Sequence, residues 1–188
     1  MSKKFKQRKG FTLIELVIVV CIIGIIAAVL YGTLALPRIQ KAKQKAKQLN
    51  TMRNIVRIYK AIEEHRIDNG YIPFHSGPFT KDSELHESIC PFFIGPKEFS
   101  FKDEWGEYLR IYTAEDQVYS IYGIELLSYE DMVLIVSLGR DGERDTFYVK
   151  KNQDGKFEFE DSWNLEDDLI MLDGKWIQCS KFAKEKLE

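Results

Sequence analysis

From Phe11 to Leu36 the chain runs 26 residues with a single charged side chain, Glu15. At about 1.5 Å per residue such a helix would be roughly 39 Å long, more than the ~30 Å hydrocarbon core of a bilayer. The run is also too long for the apolar core of a cleaved secretory signal, and Thr33-Leu34-Ala35 is a weak cleavage pattern. A membrane-spanning helix that stays on the protein is therefore predicted. Beyond it the polarity reverses. KAKQKAKQ (41–48) is a doubled tetrad of strong helix formers. From Leu49, the apolar residues Met52, Ile55, Val56, Tyr59 and Ile62 recur at three and four, which marks one buried helical face. Asp68-Asn69-Gly70 supplies a stop, and Pro37 either kinks the junction with the apolar helix or begins a new one.

After residue 68 the period changes. GYIPFHSGPF and CPFFIGP are rich in turn formers and read as ordered loops. Short β-prone runs follow: EYLRIYT (107–113), QVYSIYGIE (117–125), MVLIVSLG (132–139), DTFYVKK (145–151), KFEFE (156–160) and KWIQC (175–179). Asp141-Gly142 and Asp154-Gly155 are hairpin-turn signals between them. The pattern divides the chain into a leader 1–10, an apolar helix 11–36, an amphipathic helix 37–68 and a head 69–188. The economical arrangement is α+β: a long N-terminal helix whose amphipathic half packs on a small antiparallel sheet.

Charge sharpens this division. Residues 1–10 hold five bases and no acid, so the net charge of −2 becomes −7 without them. No basic footprint for nucleic acid exists in the chain as a whole. A basic start keeps the N-terminus cytoplasmic, although Arg38, Lys41, Lys43, Lys45 and Lys47 make the far flank equally basic. Because the first flank usually dominates and the bulky acidic domain lies C-terminal, the expected topology is single-pass, with the N-terminus cytoplasmic and the head extracytoplasmic.

Glu15 is the anomaly. An unpaired carboxylate at bilayer depth costs about 2.5–3.5 kcal/mol. A cut between Gly10 and Phe11 would create an α-amino group one helical turn from it, on the same face. That amine can neutralise the acid within one chain or on a neighbour, and in a bundle the pair becomes a register key for assembly. The plain alternative is a single-pass anchor that tolerates an acid near its cytoplasmic end.

A basic leader, then GFTLIE, then some twenty apolar residues is similar to the class III signal of type IV pilins and type II secretion pseudopilins. In that family prepilin peptidase cleaves after the Gly and N-methylates the new Phe. The resemblance implies Gly10 as the cleavage residue, Phe11 as the methylated terminus and Glu15 as the assembly acid. It extends to YKAIEEHRIDNGYIPF (59–74), DEWGEYLRIY (103–112), VSLGRDGERD (136–145) and the acidic loop EDDLIMLDGKW (166–176). Two departures stand out: Gly32 occupies a position where such pilins often carry Pro, and 145–164 reads as an inserted hairpin between two loop motifs.

Asp141, Glu143 and Asp145 alternate, and Glu166, Asp167, Asp168 and Asp173 follow. Spacing alone establishes a hairpin turn and an acidic surface loop. The resemblance implies a Ca²⁺ site there, with Asp141, Asp167 and Asp168 as ligands and the Leu138 carbonyl assisting; calcium favours such oxygen donors. Cys21 reads as a small apolar residue of the membrane run. Cys90 and Cys179, facing an oxidising space, either pair or are two unrelated buried thiols. His65, His75 and His86 share no ligand spacing and read as surface residues, while Trp105, Trp163 and Trp176 read as core and loop anchors. No nucleophile–base or zinc arrangement assembles, so a catalyst is not expected. The basic run 38–47 meets anionic lipid head groups or an acidic neighbouring subunit, or is simply a solvated face.

The resemblance implies a filament subunit that works with prepilin peptidase, copies of itself and other pilin-like chains, membrane lipid and an inner-membrane assembly platform. The competing class is a membrane-anchored binding protein or adhesin.

Overall fold

A computed structural model describes residues 11–93, 100–113, 132–144, 160–162 and 168–180. The chain divides into two compact units, Met1–Lys43 and Gln44–Glu188. In the first, α1 spans Leu13–Leu30 with none of its residues buried. A π-helical turn, Tyr31–Ala35, follows, and α2 (Leu36–Asn69) begins before the boundary and continues into the second unit. The helical stretch is long and apolar enough at its start to cross a membrane.

The helix continues through Pro37 and does not begin there. Pro37 has no N–H to offer the Thr33 carbonyl four residues back. The turn before it adopts the wider register instead, and the Leu36 N–H bonds the Tyr31 carbonyl five residues back. The Thr33 hydroxyl donates to the Val29 carbonyl at 2.8 Å within the same turn.

In the second unit, α2 buries Gln48, Thr51, Met52, Ile55, Ile58, Ala61, Ile62 and His65. The apolar members form one cluster with Ile111, Val133, Ile135, Leu169 and Met171 from the sheet, and Leu49, Val56 and Tyr59 pack against it half-buried. That joins the amphipathic face to the sheet, as the α+β pattern predicts. Fully burying an aliphatic side chain contributes about 1.5–3 kcal/mol, so this seam is a main source of the head's stability.

The sheet comprises β1 (His75–Pro78), β2 (Arg110–Thr113), β3 (Val133–Ser137), β4 (Glu160–Ser162), β5 (Leu169–Leu172) and β6 (Lys175–Ser180), in the order β1-β2-β3-β5-β6-β4. Five strands are antiparallel neighbours, and β4 adds to the β6 edge in parallel. The reason is topological: β6 lies between β4 and β5, so a strand running opposite to β5 runs with β6. Leu134 and Val136 of β3 and Ile170 and Leu172 of β5 are buried as fully as their neighbours, so the sheet centre is covered on both faces.

Several expectations change here. His75–Pro78, read as loop, is an edge strand paired with β2. Leu169–Leu172, read as part of an acidic loop, is a central strand. It joins β6 through Asp173-Gly174, whose φ values of 44° and 75° are those of a type I′ hairpin turn. One extra β6 residue, Ile177, bulges where the register shifts from Ile170↔Gln178 to Met171↔Trp176. A short helix, α3 (Glu84–Ile89), capped by the Ser83 side chain, follows the first loop and leads into a 3₁₀ turn at Cys90–Phe92. The strands expected at 117–125 and 145–151, most of 156–160, and the Asp154-Gly155 turn lie outside the described residues.

The histidines are not surface residues. His65 is 4% exposed, and its Nδ1 lies 3.2 Å from the Tyr71 carbonyl, which makes that nitrogen the donor. Tyr71 and Phe92 meet its ring edge-on. His75 and His86 are half-buried against Phe79, and His86 also meets Phe101. A bond between Cys90 and Cys179 is not formed: the first is exposed on the 3₁₀ turn and the second buried on β6.

Candidate assembly and metal sites

The first site is the start of α1. Phe11 is 79% exposed, and Thr12 is extended, with φ −76° and ψ 151°. The Thr12 hydroxyl accepts from the Glu15 N–H at 3.3 Å. In return Glu15 Oε2 accepts from the Thr12 N–H at 2.9 Å and from the Thr12 hydroxyl at 2.8 Å. This reciprocal capping box satisfies donors that a helix start otherwise leaves open. Glu15 therefore has a partner within its own chain. Thr-x-x-Glu before an apolar run is the sequence signature of such a box, a signal the Thr12–Glu15 spacing carried but the expectations above did not include. Gly10 lies outside the described residues, so the Gly10–Phe11 junction is placed only from the Phe11 side.

The second site lies at one end of the sheet. Register pairs Ser137 with Leu169 across β3 and β5, so Leu138 and Asp168, the next residue out on each strand, stand side by side. Asp168 is fully buried and Leu138 is 3% exposed, whereas Asp141 is exposed and its Oδ1 accepts from the Glu143 N–H at 3.1 Å. Asp167 lies outside the described residues. Oxygen donors at Leu138, Asp141 and Asp168 suit a hard cation such as Ca²⁺. Among the described residues, however, no three His, Cys, Asp or Glu side chains gather closely enough to hold an ion by themselves.

Beside this site is a carboxylate whose role the spacing did not reveal. Asp103, 7% exposed, accepts through Oδ1 from the N–H groups of Trp105, Gly106 and Glu107 at 3.0, 2.9 and 3.0 Å. Its Oδ2 accepts from the Ser137 hydroxyl at 2.8 Å, one residue before Leu138. Asp-x-x-Gly is an Asx-turn signal, so the turn was legible, but the bond to β3 was not. The same loop is tied to α2: Trp105 Nε1 donates to Gln44 Oε1 at 3.0 Å, and the Glu104 N–H donates to Thr51 Oγ1 at 3.1 Å. Ser137 thus couples the loop held on α2 to the strand end that presents Leu138.

Comparison with known proteins bears on both ends of the chain. The family described as the prokaryotic N-terminal methylation motif matches residues 5–31, which span the later part of the leader, Gly10, Phe11, Glu15 and most of the apolar helix. The chain is 27% identical to type II secretion system core protein G of Aeromonas hydrophila over 141 residues, 75% of this chain and 89% of that protein. It is 26% identical to the Klebsiella pneumoniae protein of the same name over 137 residues, 73% of this chain and 88% of the relative. With the Vibrio cholerae protein the identity is 34% over 71 residues, 38% of this chain and 45% of that one. No solved structure matches the fold. The chain thus carries a prepilin-type signal and resembles pseudopilins through signal and head alike. The relatives are named as core proteins of a secretion system, not as enzymes.

Proposed function

We infer that this chain, with its prepilin-type signal and its likeness to secretion core proteins, is a structural pseudopilin subunit of a type IV pilus-like filament that drives protein secretion. Prepilin peptidase removes residues 1–10 and methylates the Phe11 amine. The apolar helix waits in the inner membrane with the head outside. An assembly platform then draws it into a helical bundle with copies of itself and related chains. The observation that carries this reading is the coincidence, over residues 5–31, of the methylation motif with an apolar helix that begins two residues after the junction. Intact mass and N-terminal sequencing of the membrane form test it. A chain beginning at Phe11 with one added methyl is expected; one beginning at Met1 or Ser2 in the native host overturns processing.

The capping box gives the competing reading, an anchored binding protein, one specific support. An acid already satisfied by Thr12 needs no neighbour. Glu15→Gln separates the two cleanly, because Gln also completes a capping box while losing the charge. If a neighbour's Phe11 amine is the true partner, the variant inserts and starts its helix normally but forms no filament. Unchanged assembly would favour the plain anchor.

In this reading Ca²⁺ occupies the strand-end site, held by the Leu138 carbonyl, Asp141, Asp167 and Asp168. Bound there, it supplies charge compensation for a carboxylate that burial would otherwise penalise. The support is the strand register and the buried Asp168.

A further inference from the structure

We propose that Arg38, Lys41 and Lys43 form a collar that binds anionic phospholipid head groups, and so holds the unassembled subunit at a negatively charged bilayer surface. The inference rests on the membrane reading of the apolar helix above.

The local composition is unusual for a solvated helix. Between Glu15 and Glu63 there is no Asp or Glu, while eight bases occur: Arg38, Lys41, Lys43, Lys45, Lys47, Arg53, Arg57 and Lys60. A helix facing water usually sets acids three or four residues from its bases, and none stands at that spacing from Arg38, Lys41 or Lys43. Within the head some of these bases have work. Lys47 Nζ donates to the Glu104 carbonyl at 2.8 Å, and the Arg57 guanidinium lies 4.4 Å over the Phe93 ring. Arg38, Lys41 and Lys43, all in the first unit, are exposed and have no ion-pair partner among the described residues.

Their position selects the ligand. Counted from Leu36 at about 1.5 Å per residue, they stand about 3, 8 and 11 Å beyond the apolar run. The head-group zone is about 5–8 Å deep on each side, and long basic stems reach back along apolar surface. Ile39, 42% exposed among them, and Tyr31, 57% exposed at the end of the run, suit the apolar-to-polar boundary. Their angular spread then argues against a protein partner. At about 100° per residue, Lys41 lies about 60° from Arg38, and Lys43 about 140° away on the other side. A protein surface would cover one face of the helix, whereas a layer of phosphates surrounds it. Bases near such a surface gain from its negative potential, and salt screens that gain.

The full chain, reconstituted into vesicles of equimolar phosphatidylcholine and phosphatidylglycerol and released into mild detergent, provides the test through the lipids it retains in native mass spectrometry. Phosphatidylglycerol should be retained over phosphatidylcholine by about a hundredfold, given about 1 kcal/mol from each of three such bases. The preference should fall by about tenfold or more in R38Q/K41Q/K43Q, the remainder resting on the five leader bases at the other membrane flank, and to near parity in high salt. R53Q/K60Q, which removes exposed charge farther along α2, should keep it. Equal retention of the two lipids by the inserted wild-type chain overturns the collar while leaving the anchor intact. Retention unchanged in the triple variant, or lost equally in R53Q/K60Q, overturns it as well. Failure of the chain to enter either lipid overturns the anchor, and the collar with it.

Discussion

Asp103 shows how much one side chain can organise. Its carboxylate collects three N–H groups of the following turn and the Ser137 hydroxyl. Hydrogen bonds to a charged acceptor are worth about 1.5–3 kcal/mol each by mutation, but those sharing a carboxylate do not add. Asp103→Ala is therefore expected to destabilise the head by about 3 kcal/mol, and Ser137→Ala by about 1 kcal/mol. Urea midpoints of the two variants check the ranking; equal losses would mean that the turn N–H groups are not what Asp103 secures. His75 carries a second residue-scale prediction. Burial holds its pKa below the usual histidine range, and hydrogen bonds to the backbone at Pro78 and Gly77 only partly offset this. The unfolded chain takes up a proton near pH ~6.5, whereas the folded head resists it until lower pH. Stability contributed by neutral His75 is thus present above about pH 6.5 and declines as the pH falls below it. His75→Gln should flatten the melting temperature between pH 6.5 and 5, and an unchanged slope would assign the effect elsewhere.

Among the elements, the β5–β6 hairpin is the most tightly specified. Gly174 has φ 75°, and a Cβ there would stand 2.7 Å from Tyr59 Cε1 on α2. The Tyr59 hydroxyl reaches Asp173 Oδ1 at 3.5 Å, and its pKa is raised, first by burial and then by Asp173 and Glu63. It is a neutral donor at any ordinary pH. Gly174→Ala is expected to cost about 1–3 kcal/mol, from backbone strain and from forcing the Tyr59 ring aside. Equilibrium denaturation reads this directly, and a neutral result would show that ring and hairpin shift together without cost. The helix was legible because Met52, Ile55 and Ile62 repeat at helical spacing, and β3 because VLIVS is short, branched and apolar. The β5 strand was missed because LIML sits between Asp168 and Asp173, and the flanking acids drew the reading toward a loop. His75–Pro78 was missed for a related reason: it holds Gly and Pro, which mark turns but are tolerated on an edge strand. The polar members of the buried α2 face, Gln48, Thr51 and His65, carry no apolar signal, because their burial depends on partners far along the chain.

A bound ion would register in the stability of the whole molecule. If Ca²⁺ binds the folded head and not the unfolded chain, saturating calcium should raise the melting temperature by several degrees. Asp168→Asn should abolish that rise while Glu143→Gln, outside the proposed ligand set, keeps it; a calcium-independent melt in the wild type removes the ion from the account. The Thr12–Glu15 box was as readable as the apolar run that contains it, because Thr-x-x-Glu is a local signal, whereas a partner for Glu15 on a neighbouring chain leaves no mark in one sequence.

The bare flank of α1 has a further consequence for how a filament subunit can travel. Thirteen large aliphatic side chains from Leu13 to Leu30 are at least 46% exposed, and no residue of the helix is buried. Leaving them in water would cost on the order of 20–40 kcal/mol, against about 5–15 kcal/mol for the stability of a typical folded domain. A subunit released into water would sooner unfold or aggregate than wait. In a filament pathway, departure from lipid and arrival among neighbouring helices therefore have to be one continuous exchange of oily surroundings, with no dissolved subunit between them.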